Sequence, residues 1–134
     1  MSSFEAKLKL EGKEYEVVNC NYMVQRKIDY TGRPTGQLRD SIIELEILAP
    51  EDDVSFFAWL TDSSKKKGTI EFVKVDQQAT FGSIEFEDSL CFDYSQVFDA
   101  HAPRSFVIKF KLTTAKFTLK SGKQSKNFNF FKVE

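Results

Sequence analysis

Two cysteines, Cys20 and Cys91, and a single histidine, His101, are the residues of this sequence best suited to nucleophilic or metal chemistry. Structural zinc needs four ligands at close spacing, and neither thiol has a partner at finger-like distance. One histidine, set in a loop beside Pro103, weakens any Ser-His-Asp or Cys-His arrangement. The simpler reading is an exposed loop histidine and two reduced, packed thiols, with a Cys20–Cys91 disulfide as the alternative. Carboxylates are many, but they alternate with apolar residues as solvated strand faces do. Lys65-Lys66-Lys67 could hold a phosphate, although a solvated helix end explains the run equally simply. Gly32 and Gly36 precede a strand pattern and not a helix, so they do not make a nucleotide-type phosphate loop. No catalytic residue, cofactor site or metal site is expected.

The stretch from Asp29 to Asp40 offers recognition chemistry instead. Gly32 and Gly36 permit backbone angles closed to other residues, and Pro34 fixes its own φ. Arg33 and Arg39 supply planar cationic forks suited to carboxylates or carbonyls across an interface. Hairpin loops usually run to about 2–5 residues, so a polar connection of this length is either a mobile, solvated loop or a working surface.

The elements that must carry this stretch are read from period. Phe4, Ala6, Leu8 and Leu10 alternate with Glu5, Lys7 and Lys9 as a half-buried strand. A longer strand is predicted from about Tyr15 to Ile28, with Val18, Cys20, Tyr22, Val24 and Ile28 on one face. The adjacent Val17 and Val18 predict a bulge or bend there. Ile43, Leu45 and Ile47 alternate with Glu44 and Glu46, and Pro50 ends that strand. Phe56, Trp59 and Leu60 have i, i+3, i+4 spacing and define the buried face of the one expected helix. Asp52 and Asp53 precede it, the lysine run suits its C-terminal dipole, and Gly68 could close it. Ile70 and Phe72 start another strand, which Asp76-Gln77-Gln78 turns. From Ile84 an apolar face is expected through Phe86, Leu90, Phe92 and Tyr94, with Asp88 as an interruption that needs a partner or an edge. Phe98 to Arg104 reads as a loop. Phe106 to Leu112, Phe117 to Leu119 and a last strand through Phe128 and Phe130 to Glu134 complete the chain.

The expected fold is therefore mainly β: a small antiparallel β-barrel or sandwich of about seven or eight strands with one mid-chain helix. The 134 residues make one domain, 1–134, since no linker or repeat divides them. Fourteen Phe suit strands. A net charge of −1 gives no field favouring nucleic acid or an anionic membrane, and no apolar run is long enough for a spanning helix. The start lacks an apolar signal-peptide core, which predicts folding in the cytoplasm. Several strands look long for the domain, and such strands must pair with or lie against something.

Asp29-x-x-Gly32-Arg33-Pro34, Arg39 and the Ile43-Glu44-Leu45-Glu46 strand resemble the tube protein of type VI secretion systems, the haemolysin-coregulated protein (Hcp or TssD) family, in its Bacteroidetes branch. The likeness runs on through Phe57-x-Trp59, Gly68-x-Ile70, Phe86-Glu87-Asp88 and Tyr94-Ser95-x-x-Phe98-Asp99-Ala100. Two departures are Asp40-Ser41, where this branch often has a glycine pair, and the Phe- and Asn-rich tail from Gln124 to Glu134. The resemblance implies a non-enzymatic subunit that forms homo-hexameric rings stacked into a hollow tube. In that reading its partners are a contractile sheath, a spike protein and effector proteins, and export is by the machine itself. It assigns Gly32, Arg33, Pro34 and Arg39 to an assembly surface. Polar faces such as Glu85 and Glu87, or Lys109 and Lys111, become candidates for lumen or ring surface. The alternatives are a tube protein of a related phage-like contractile system, a monomeric small-molecule-binding β-barrel and, with least support, a single-strand-binding barrel.

Overall fold

The computed structural model describes residues 4–50, 53–76, 79–102, 106–121 and 124–129. Among these residues seven strands and one helix follow in the order β1 (Phe4–Leu10), β2 (Lys13–Ile28), β3 (Pro34–Leu48), α1 (Ser55–Asp62), β4 (Lys66–Lys74), β5 (Ala79–Phe98), β6 (Phe106–Ser121) and β7 (Gln124–Asn129). All pairings are antiparallel, in the order β3-β2-β1-β4-β5-β6-β7. A further pairing of β3 with β6 closes the first six strands into a ring of hydrogen bonds.

Closure follows from alternation. Leu8, Ile43, Leu45, Ile47, Ile70 and Leu112 are all buried at inward positions of β1, β3, β4 and β6, so each of these strands turns one row inward. Full burial of such a side chain contributes about 1.5–3 kcal/mol. The outward rows pair charge with charge across strands: Lys109 with Glu46 at 3.2 Å, Lys111 with Glu44 at 3.8 Å, and Lys9 with Glu71 at 3.0 Å. The expected bulge is present, as a register shift between Val17 and Asn19. Past it Cys20 and Val24 still pack on the core, while Tyr22 and Ile28 of the same predicted face lie exposed.

Helix α1 closes one flank. Phe56 enters the core between the rings of Tyr15, 5.0 Å away, and Phe110, 4.5 Å away. Trp59 is fully buried and its indole N–H donates to the Ser64 carbonyl at 2.7 Å, while Leu60 packs against the core edge. The helix ends differ from the sequence expectation. Its C-cap is Ser63 in the left-handed region, no basic residue lies in its last turn, and Lys66, Lys67 and Gly68 belong to β4. Lys66 stands 5.4 Å over the Trp59 ring and 3.1 Å from Glu11, which fixes it as a strut and not as a helix-dipole partner.

The start of the helix is held by Asp53. Its carboxylate accepts from the Ser55 N–H at 2.8 Å and the Tyr15 hydroxyl at 2.9 Å, with Lys13 Nζ at 3.4 Å. Burial acts to raise its pKa, but the Ser55 and Tyr15 hydrogen bonds and the Lys13 charge outweigh it and bring the value down to about 2. A depressed carboxyl stabilises the fold above its unfolded range, near 3.8, and that stability is lost as the pH falls toward 2. Asp53→Asn is expected to cost about 1–2 kcal/mol at neutral pH. It should also flatten the loss between about pH 4 and pH 2; urea denaturation at three pH values measures both.

The predicted face of β5 is corrected. Ile84 and Phe86 point in, but Asp88 takes φ 53° and the inward row then passes to Ser89 and Cys91, leaving Phe92 exposed. β6 slips at the matching position, from Thr114 to Phe117, because Glu87 pairs with Lys116 and Ser89 with Thr114. The two strands bend together, and the Thr114 hydroxyl, 2.9 Å from the Glu87 carbonyl and 2.8 Å from that of Lys116, bridges the bend. Here β6 changes neighbours, from β3 at residues 107–113 to β7 at residues 116–121. The part of the expected last strand beyond Asn129 lies outside the described residues.

Candidate assembly surfaces

The connection expected to be a long loop is mostly strand. β3 begins at Pro34, which pairs with Ile28, and pairing continues through Arg26 with Leu38 and Gln25 with Asp40. Register shifts flank Arg26, so two bulges let a sequence rich in turn residues remain in the ladder. Only Asp29–Arg33 forms the turn. The Asp29 carboxylate accepts from the Thr31 hydroxyl at 2.6 Å, the Thr31 N–H at 2.9 Å and the Arg33 N–H at 3.0 Å. Those bonds, led by the Thr31 hydroxyl, hold its pKa below the usual range. Gly32 has φ 85° and donates to the Asp29 carbonyl at 3.0 Å, a conformation in which a Cβ would be strained.

The result is a two-stranded arm. β2 residues 24–28 and β3 residues 34–41 pair only with each other, among the described residues. A lone two-stranded ribbon is marginal in water, and its outer edges are open to further pairing. Gly32, Arg33 and Pro34 are exposed at its end, with Tyr30 fully so. Gly36 and Arg39 belong to β3 by backbone, and their side chains lie outside the described residues.

At the other end of β3, Leu48 pairs with Val107 and the Ala49 N–H donates to the Phe106 carbonyl at 3.3 Å. Above this lies the β5–β6 tip, where the exposed rings of Phe98 and Phe106 stand 4.7 Å apart beside Val97. Asp99 holds the turn there by accepting from the His101 N–H at 3.0 Å, and His101 itself is exposed. Alternation could not reveal this aromatic tip, since its residues sit in strand phase like any core position. The signal was the length of β5, which outruns its β4 partner by nine residues, 90–98.

Among the described residues the surroundings of the two thiols do not activate them. Cys20 and Cys91 are free; burial pushes Cys20 up to about 11 and also raises Cys91, which suppresses thiolate formation. Among the described residues no three His, Cys, Asp or Glu side chains cluster as metal ligands, and no helix is long and apolar enough to cross a membrane. The ring interior is filled by side chains. Two hollows, of about 720 and 410 Å³, lie along strand faces and are lined by such charged residues as Lys7, Glu16, Glu44 and Lys111. A carrier for apolar ligands would need the reverse, an apolar cavity inside.

A closed antiparallel ring, one flanking helix and a long strand pair together make the fold of a secretion-tube protein. The chain belongs to the Hcp/TssD family, the tube proteins of type VI secretion: the family profile for hemolysin coregulated protein Hcp (TssD) matches residues 2–129. Members are structural proteins exported by that machinery and not enzymes. Among solved structures, Hcp1 from Flavobacterium johnsoniae superposes with a TM-score of 0.80 at 25% identity, over 93% of this chain and 98% of that one. Hcp1 from Salmonella typhimurium gives 0.81 at 11% identity, over 96% of each chain. A type VI secretion system effector from Yersinia pestis gives 0.69 at 14%, over 92% of this chain and 98% of that one. No curated protein sequence matches.

Proposed function

We propose that this chain assembles into six-membered rings that stack as the hollow inner tube of a type VI secretion system. A contractile sheath drives the tube, capped by a spike protein, out of the cytoplasm, and effector proteins travel in its lumen. Gly32, Arg33, Pro34 and Arg39 belong to the assembly surface. The observation that carries this reading is the outer part of the β2–β3 ladder, residues 24–28 with 34–41, a two-stranded ribbon that ends in an exposed Arg-Pro turn. A monomer gains nothing from such an arm, whereas a partner surface would cover its edges. Near-zero net charge keeps repulsion low when like subunits stack.

Light scattering and negative-stain microscopy test the proposal. A ring has a mass of about 92 kDa, six times the 15.4 kDa subunit, and an open centre. A clean monomer at high concentration would count against it. Arg33→Glu is expected to leave the fold unchanged and weaken association by at least about tenfold. Unaltered rings and tubes in that variant would remove Arg33 from the surface.

A further inference from the structure

Strand β6 divides one of its edges between two partners. β5 holds the other edge throughout, while β3 takes residues 107–113 and β7 takes residues 116–121. Yet β3 also matches the part of β6 that it does not touch. Ile42 pairs with Thr113, so the same register carried on sets Ser41 opposite Thr114 and Pro34 opposite Ser121, the first residue of β3 against the last of β6. The irregularities coincide as well. β3 has a bulge at Arg39, between the pairs Gln25–Asp40 and Arg26–Leu38. In the continued register Arg39 falls opposite Lys116, inside the slip of β6 from Thr114 to Phe117. At the fork the Ser41 hydroxyl is buried with no hydrogen-bond partner among the described residues, a cost that the present packing leaves unrelieved. The Tyr22 ring, at the base of the arm, already stands 5.4 Å from that of Phe117.

We propose that β7 and the arm are alternative partners for this edge of β6, and that β7 acts as a latch. With β7 in place the arm stands off. When β7 leaves, β3 zips on from Ile42 to Pro34, β2 stays on its other edge, and one ladder runs the whole length of β6. The exchange trades the six pairs of β7 for up to eight of β3. β7 gives up little burial on leaving, since Gln124, Ser125 and Lys126 of this short edge strand are exposed. Ser41 gains Thr114 directly opposite, and hydroxyl pairs of this kind bond across antiparallel strands. Two packings of one sequence that differ this little make a bistable element. The exchange needs no second copy of the chain. Its consequence does rest on the tube reading above: an arm folded flat on β6 is withdrawn from assembly until β7 takes its place.

A thiol at position 118 reports which partner is present, because Thr118 stands opposite Asn127 now and opposite Gln37 in the other packing. The triple variant Thr118→Cys, Asn127→Cys and Gln37→Cys is held in a thiol–disulfide buffer. Peptide mass spectrometry of the 15.4 kDa single-chain band then counts the latch bond, 118 to 127, and the arm bond, 118 to 37. Both are expected, with the latch bond in excess. Adding Ser125→Pro and Lys126→Pro removes a ladder N–H from β7 whichever of the two faces β6, and should raise the share of the arm bond at least about tenfold. Should the prolines unfold the chain, the triple variant alone decides. A latch bond with no arm bond there overturns the proposal, and so does an arm bond found only between chains. Chains locked by the arm bond should build no tubes until reduced, and chains locked by the latch bond should build them. Tubes from both locks would overturn the latch's control of assembly. Rings from neither, before or after reduction, would bring down the tube reading, while the exchange is judged on the mass spectrum.

Discussion

Phe56→Ala is expected to destabilise the subunit by about 3–5 kcal/mol, the usual range for deleting a buried aromatic ring. At this chain length that lowers the melting temperature by roughly 10–20 °C. The ring is 1% exposed and stands between Tyr15 and Phe110, so its removal opens a void touching β2 and β6 at once. It also removes one anchor of the helix, while Trp59 and Leu60 stay in the core and Asp53 stays at the helix start. Phe57, one position on, is half exposed and meets only the edge of Tyr94 at 5.7 Å. Phe57→Ala should therefore cost less than about 1 kcal/mol at the same protein concentration, which must be matched because association shifts apparent stability. Equal losses for the two neighbours would mean that α1 does not present the face described here.

That helix face was legible because Phe56, Trp59 and Leu60 repeat at the helical period, and nothing local competes with the pattern. The row Ile43, Leu45, Ile47 was legible for the same reason at period two. Even the bulge in β2 announced itself, since Val17 and Val18 cannot both hold the inward phase. What period misses is a change of phase that the sequence does not spell in apolar letters. Asp88 turns β5 over with one positive φ, so Phe92, inward by an unbroken period of two, lies outside. The arm fails for the opposite reason. Gly32, Pro34 and Gly36 read as loop chemistry, yet a partner strand of sixteen residues imposes the ladder on all but five positions, tertiary pairing overriding local preference. The exposed aromatic tip gave no local signal, because burial in a strand is decided by which neighbour arrives.

Gly68 shows how far a residue's meaning depends on that neighbour, and its replacement has the second large expected effect. In sequence it follows three lysines and resembles a helix terminator. In the fold it lies within β4, paired with Leu10 on one side and Phe86 on the other, and its φ is not in the left-handed region. The restriction is one of space. An added Cβ would lie 2.7 Å from Phe86 Cζ, 3.0 Å from the Lys9 carbonyl oxygen and 3.1 Å from Leu10 Cδ1. Phe86 is 1% exposed and cannot swing away without displacing the core. Gly68→Ala would gain about 0.4–1 kcal/mol by restricting the unfolded chain, but overpacking at such distances costs about 1–3 kcal/mol, so the net is a loss. Gly68→Val, with two further methyl groups, should lose about 3 kcal/mol. Gly12→Ala offers the contrasting mechanism: no atom lies within 4 Å of its Cβ, but φ +78° makes the backbone itself the cost, at about 1 kcal/mol. A double-mutant cycle separates the two. Phe86→Leu removes the ring atom that the new Cβ meets, so Gly68→Ala should cost less in that background than alone. It should leave the cost of Gly12→Ala unchanged, and equal costs of Gly68→Ala in both backgrounds would show that the ring is not what keeps this position glycine.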